Sequence, residues 1–253
     1  MDESRGVRRS NIRLRVGARR REYLTKRILD IVIAVPLLVM LAPVMALVAV
    51  CITLDDRKGG IFYRSRRVGR AGREFPMLKF RKMRDGAIGP ALTAASDERF
   101  TRIGSFLART KLDELPQLVN VIRGDMSLVG PRPEDPLFVA LNPDAFADVL
   151  RSKPGMTGLT QLAFAKESRL LNRPDRVEFY VAHLLAQKAS IDRLYTEQRS
   201  IAMDLRILAW TALAVFTGVD VSVDRRSGAL SVRRRPPPQP DTATPVATEE
   251  VNA

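Results

Sequence analysis

TKLDELPQLVNVIRGDMSLVGPRP, residues 110 to 133, decides how the chain is read. Asp113 and Glu114 open an apolar run that Gly124 closes, and a Gly130-Pro131-Arg132-Pro133 corner follows. Leu115, Leu118, Val119 and Ile122 recur at helical spacing, so the stretch predicts a helix with one buried face. Asp is a favoured N-cap, Pro116 suits a first turn where its missing N–H is not needed, and Gly124 sits where a left-handed C-cap glycine belongs. A carboxylate at such a helix start lies among free backbone N–H groups, a setting that favours a bound phosphate or an ionised acid. A well-capped helix with no chemistry has the same local pattern, and on these residues alone it is the commoner case.

Composition narrows the chemistry. The 253 residues carry 42 Lys and Arg against 28 Asp and Glu, a formal net charge of +14. That excess implies an anionic partner: nucleic acid, anionic lipid headgroups or phosphorylated small molecules. Cys51 and His183 are the only residues of their kinds. An intrachain disulfide is excluded, and a cysteine or histidine-rich metal site and Ser-His or Cys-His nucleophile chemistry are disfavoured. Any reaction must rest on carboxylates with Lys or Arg.

Working outward, residues 1–22 are arginine-rich and read as a basic disordered or surface-lying arm. Ile31 to Leu54 contains no charged residue. As a helix those residues would reach roughly 36 Å, enough to cross a bilayer core. Pro36 and Pro43 interrupt it, and basic clusters stand on both flanks, which a single crossing would place on opposite sides against the positive-inside tendency. The expectation is a segment, residues 23–56, that bends near Pro43 and returns to the same face. Ile61–Tyr63 and Phe75–Phe80 predict strands separated by Gly69 and Gly72, with KFRKM, Lys79 to Met83, following. Residues 98–109 and 136–150 predict helices, the second broken at Pro143. KPGMTGLTQL, from Lys153, has Gly155 and Gly158 for a tight turn or for close approach to a ligand. Residues 174–200 read as a long charged helix, and 201–217 as a core or interfacial helix with Trp210 at headgroup depth. The tail, residues 223–253, is expected to be disordered.

Four blocks in order resemble the bacterial sugar transferases, the monotopic phosphoglycosyl transferases, over about residues 24 to 220. They are KRILDIVIAVPLLVMLAP, YRSRRVGRAGREFPMLKFRKM, LDELPQLVNVIRGDMSLVGPRP and KPGMTGLTQL. The resemblance implies an α+β, mostly helical fold: a membrane-embedded re-entrant helix-break-helix plus a small cytosolic catalytic domain, residues 57–222, with interfacial amphipathic helices. It implies transfer of a sugar 1-phosphate from a nucleoside-diphosphate sugar, UDP being the family's usual base, to undecaprenyl phosphate on the cytoplasmic face of the bacterial inner membrane. Magnesium is required in the family. By the same resemblance Asp113 is the nucleophile and a metal ligand, and Glu114 its acidic partner. Arg132, Arg109, Lys79 and Arg81 are candidates for substrate phosphate, and Lys26, Arg27, Asp30 and Pro43 for anchoring and lipid contact. No nucleic acid is expected, and a homodimer is left open.

Three positions depart from the family's pattern: Ala42 before Pro43, Ala108 where many members have arginine, and AFAKES from Ala163 in place of an Asn-Gly-Arg-like stretch. The competing reading is a non-catalytic basic membrane adaptor whose carboxylates only cap a helix. The sugar and the glycan pathway, whether exopolysaccharide, capsule, lipopolysaccharide O-antigen or glycoprotein, stay open.

Overall fold

The computed structural model describes the backbone of residues 3–233 and, within that range, side chains from Tyr23 onward. Helix α1, Glu3–Asp55, runs helical through both Pro36 and Pro43. It therefore begins inside the segment expected to be an irregular arm, whose side chains lie outside the described residues. From Tyr23 to Asp55 it is the only helix among the described residues long and apolar enough to cross a membrane.

One stripe of α1 is buried on the body of the protein along this length. Asp30, Ala34, Val48 and Ile52 are buried, with Leu37, Leu38, Leu41 and Met45 partly so. Ala34 joins a core with Leu118, Val121 and Leu128, whereas Val48 and Ile52, beyond Pro43, join Phe80 and Leu107. Ile28, Val32, Val35, Val39, Val44, Leu47, Val50 and Leu54 stay exposed on the other side. The spacing of both sets is that of a helix with two apolar faces, one packed on the protein and one left exposed.

Strands β1, Phe62–Val68, and β2, Glu74–Phe80, pair antiparallel from Phe62↔Phe80 to Val68↔Glu74. Helix α2 spans Arg102–Thr110 and α3 spans Gln117–Arg123. Asn120 of α3 locks onto β2: its Oδ1 accepts from Leu78 N at 2.9 Å and its Nδ2 donates to Pro76 O at 2.9 Å. Gly124 ends α3 in the left-handed conformation, φ 94°, as expected.

Strand β3, Ser127–Val129, pairs in parallel with β4, Gly155–Thr157, after a crossover through α4, Pro136–Leu141, and α5, Pro143–Ala147. Proline 143 does break the expected helix there. At this pairing the backbones nearly touch: a Cβ on Gly155 would lie 2.0 Å from Gly130 N and 2.4 Å from Thr157 O. The glycine accommodates the chain itself and not a ligand.

Short helices α6, Leu159–Ala163, α7, Glu167–Leu170, and α8, Arg176–Phe179, lead through a π-turn, Tyr180–Leu184, into α9, Leu185–Gln198. Ser200 then N-caps α10, Ile201–Thr217, by accepting from Met203 N at 3.2 Å. The hairpin of β5, Val221–Val223, and β6, Leu230–Val232, follows. Val221 is buried and Leu230 packs on the main core, so residues 223–232 are ordered where a disordered tail was expected; the rest of that expectation lies outside the described residues.

Gly155→Ala is expected to lower the thermal midpoint by several degrees, since overpacking costs about 1–3 kcal/mol and here backbone must move. An unchanged melting curve would contradict this close backbone packing.

Candidate active site

The site is built where β2 ends. Thr101 N-caps α2, its Oγ1 accepting from Gly104 N at 2.9 Å, and Thr101 N donates to Lys82 O at 3.1 Å. A Cβ on Gly104 would lie 1.8 Å from Lys82 O, so glycine is what lets α2 rest on the chain at Lys82. Lys111 leaves α2 with φ 62°, a left-handed conformation that costs a residue with a Cβ free energy. A 3-10 turn, Leu112–Glu114, follows directly, and α3 begins only at Gln117. Asp113 is thus not the N-cap of α3, as expected from sequence, but the centre of a separate turn ahead of it.

The two acids of this turn have different surroundings. Asp113 is 1 % exposed, and neither carboxylate oxygen has a hydrogen-bond partner. Lys82 Nζ stands 3.1 Å from Oδ2 as an ion pair. Glu114 accepts from Lys79 Nζ at 2.8 Å, with Arg132 4.0 Å away. Burial opposes the charge on Glu114, but Lys79 and Arg132 outweigh it and hold the carboxyl well below its usual range. Burial pulls the Lys79 pKa down, against the pull of Glu114. Burial also acts against the Arg132 guanidinium, which Glu114, Glu167 and Glu134 nonetheless keep firmly charged. Glu114 is a neutralised partner, whereas Asp113 is a buried carboxylate with unused lone pairs and one ion pair, to Lys82. A carboxylate of this kind is able to act as a nucleophile or to hold a cation.

Residues 21–218 match the family described as bacterial sugar transferase. The chain belongs to that family. The UDP-glucose:undecaprenyl-phosphate glucose-1-phosphate transferase of Caulobacter vibrioides is 38 % identical over 200 residues, 77 % of this chain and 70 % of the relative. Exopolysaccharide production protein ExoY of Sinorhizobium fredii is 37 % identical over 76 % of this chain and 85 % of its own length. The undecaprenyl-phosphate glucose phosphotransferase of Komagataeibacter xylinus is 37 % identical over 75 % of this chain but only 35 % of the relative, so this chain spans about a third of that protein. Family membership makes the chain an enzyme, a phosphoglycosyl transferase.

In this sugar transferase the candidate residues divide. Asp113, Glu114, Lys79 and Arg132 come together. Arg81 does not join them: it pairs with the Asp56 carboxylate and donates to Gly60 O and Asp56 O, each at 2.6 Å, closing the end of α1. Arg109 is exposed in the last turn of α2. Lys82 was missed in the sequence. It lies in KFRKM, from which only Lys79 and Arg81 were singled out; β2 stops at Phe80, and it is Lys82 that meets the acid. His183 is exposed, its Nδ1 3.2 Å from Phe179 O, away from any chemistry.

The anchoring residues point inward. Lys26 Nζ donates to buried Asp204 at 2.6 Å, and Tyr195 OH donates to the same carboxylate at 2.7 Å. The Arg27 guanidinium donates to Val121 O at 2.6 Å and Ile122 O at 2.7 Å, at the end of α3. Asp30 accepts from Ser127 Oγ and Leu128 N, both at 2.9 Å. Pro43 is exposed on α1.

A second buried network, absent from the sequence reading, grips the Arg132 corner from behind. Tyr180 OH donates to Glu134 at 2.9 Å, and Lys188 Nζ donates to Tyr180 OH at 2.7 Å and to Glu167 at 3.0 Å. Glu167 belongs to the departing AFAKES stretch. Asp192 accepts from the Arg132 backbone N–H at 3.2 Å, and burial pushes its pKa up to about 7.

Among the described residues no group of three or more His, Cys, Asp or Glu could hold a metal. The partnerless oxygens of Asp113 do fit a magnesium ion, which is typically bound by one or two carboxylates together with substrate phosphates rather than by a protein cage.

The raised Asp192 pKa has a thermodynamic sign. The folded chain binds that proton more tightly than the unfolded one, so the stabilisation is full below the usual carboxylate range and is lost as pH rises through about 7. Asp192→Asn is expected to flatten the fall in thermal midpoint over that window. A slope that survives the substitution would assign the titration to another group.

Proposed function

We propose that the enzyme transfers a sugar 1-phosphate from a UDP-sugar to undecaprenyl phosphate through a covalent Asp113 intermediate. A carboxylate oxygen of Asp113 attacks the phosphorus that carries the sugar. The bond from that phosphorus to the nucleotide's bridging oxygen breaks, and UMP leaves with the electron pair. An oxygen of undecaprenyl phosphate then attacks the same phosphorus, the acyl-phosphate bond breaks, and Asp113 returns as a carboxylate. The products are UMP and undecaprenyl-diphosphate sugar. The observation that carries this reading is the buried Asp113 carboxylate with no hydrogen-bond partner, 3.1 Å from Lys82.

Attack of one anion on another needs its charge met. Lys82 lies beside the nucleophile, and Lys79 and Arg132 supply further positive charge across Glu114. Arg132, held between two prolines and bonded through its backbone to Asp192, offers a planar fork suited to phosphate oxygens. Magnesium, held by Asp113 with or without Glu114, would neutralise the diphosphate and ease departure of the nucleotide. Splitting the reaction in two lets a soluble donor and a lipid acceptor use one site in turn. The relatives named for UDP-glucose favour a UDP-hexose donor and a glycan such as an exopolysaccharide.

The same proposal places α1 in the cytoplasmic face of the inner membrane as a re-entrant element bent at Pro43. Both of its ends are tied to one domain, through Lys26–Asp30 at one side of the apolar run and through Asp55 at the other, where its carboxylate accepts from Ile103 N at 3.0 Å. A straight crossing would leave one of these ties on the far side of the bilayer.

Asp113→Asn is expected to lower UMP release by about a thousandfold or more while the protein stays in the membrane fraction. With donor alone, wild-type enzyme should carry a phosphosugar adduct on Asp113, and normal turnover by the variant would refute the mechanism. Single cysteines placed near Tyr23 and near Lys58, in a background lacking Cys51, are expected to react with an impermeant reagent from the cytoplasmic side only. Reaction from opposite sides would replace the re-entrant arrangement with a crossing.

A further inference from the structure

A cleft opens at the C-terminal end of α3, lined by Tyr23, Arg70, Ser152, Lys153 and Arg199 around the Lys26–Asp30 turn. Its charge is unbalanced. Lys26 is paired with Asp204, and Asp30, the one carboxylate in the lining, is occupied by Ser127 and Leu128. Arg27 donates to backbone carbonyls only. Arg70, Lys153 and Arg199 form no ion pair among the described residues; Arg199 donates to Ser152 Oγ at 3.1 Å. Arg70 and Lys153 instead flank the Tyr23 ring, 5.3 and 5.4 Å from its centroid. Lys153 foremost, with Arg70 and Arg27, lowers the Tyr23 pKa against the opposing effect of burial, a sign of local positive potential.

The place matches the charge. Tyr23 stands just before the apolar run of α1, with Leu24 and Ile28 exposed beside it, Ile28 by 62 %. An amphipathic ring with basic neighbours at the head of an apolar helix belongs at headgroup depth. The cleft is distinct from the acid pair: Arg27 holds the C-terminal carbonyls of α3, whereas Asp113 precedes its N-terminus, about 10 Å away along seven residues.

We infer that Arg70, Lys153 and Arg199, with the Tyr23 hydroxyl, form a phosphate-binding cleft that holds the headgroup of an anionic phospholipid at the membrane surface, separate from the transfer site. Three cations around one pocket suit the single charge and several acceptor oxygens of a phosphodiester. A resident lipid there would set the height of the catalytic helix relative to the bilayer.

The test uses the full chain purified in neutral detergent, with short-chain phosphatidylglycerol, short-chain phosphatidylcholine and inorganic phosphate as probes and native mass spectrometry as the readout. Phosphatidylglycerol is expected to bind more tightly than phosphatidylcholine. The variant R70Q/K153Q/R199Q is expected to lose about fivefold or more of that affinity. The control R102Q/R169Q/R225Q, which removes the same charge from exposed positions elsewhere, is expected to keep it. Asp113→Asn is also expected to bind as wild type does, since the cleft does not depend on turnover. Equal loss in both triple variants, or no loss in either, would overturn the proposal. Competition by inorganic phosphate as effective as that by the lipid would overturn the lipid as occupant and leave a free anion in its place. Melting curves accompany each variant, and K153Q alone provides the reading if the triple variant does not fold.

Discussion

Arg27 of the membrane helix donates both ends of its guanidinium to the last carbonyls of α3, and much of the molecule is arranged around that contact. Carbonyls at the end of a helix lack their usual intrahelical partner and carry its negative pole; Val121 O also accepts from Gly124 N at 3.1 Å. An arginine satisfies them twice over, by hydrogen bonding and by charge. Lys26 and Asp30, one residue before it and three after, bind α10 and β3 in the same turn. One helical turn at the edge of the apolar run therefore joins the strand and the two helices that enclose the main core, α3 among them. The acid pair stands at the opposite end of α3, so the reactive turn is positioned from the membrane.

Within that turn two neighbouring carboxylates are given different work by their surroundings. Glu114 is surrounded by Lys79 and Arg132, and its charge is used to keep those cations in place. Asp113 is deeper, yet its oxygens are not consumed by hydrogen bonds. Burying a carboxylate without such bonds costs free energy, which other contacts of the fold must offset. The left-handed Lys111 just before it adds to that cost. A cost concentrated on one turn is what a site prepared for an absent substrate requires.

Much of this was legible from local pattern. The helical spacing through Leu118, the left-handed Gly124 and the proline-bounded Arg132 rest on short-range rules and stand where those rules put them, although the buried face runs through Val121 while Leu115, Val119 and Ile122 are only partly covered. The acid pair could be named from its motif. Its geometry could not, because Pro116 and the Lys111 turn start α3 later than the N-cap preference of Asp113 suggests. Lys82 could not be told from its basic neighbours in KFRKM, because which of them meets the acid depends on the tertiary placing of the chain after β2 ends at Phe80. Gly155 was open to two readings, a tight turn or room for a ligand; only the fold reveals that Gly130 fills the space. The buried polar group of Glu134, Tyr180, Lys188 and Asp192 joins residues more than forty positions apart, a separation that no spacing rule bridges.

The stripe that α1 presents to the body of the protein bears on how the enzyme comes into being. Ala34, Val48 and Ile52 are interior residues of the same cores that hold the catalytic strands and helices. A polypeptide shorn of this segment would lack part of its own interior, and would be an unfinished fold rather than a detachable soluble enzyme. Docking of this helix and closure of the interior beneath the acid pair are accordingly one folding event.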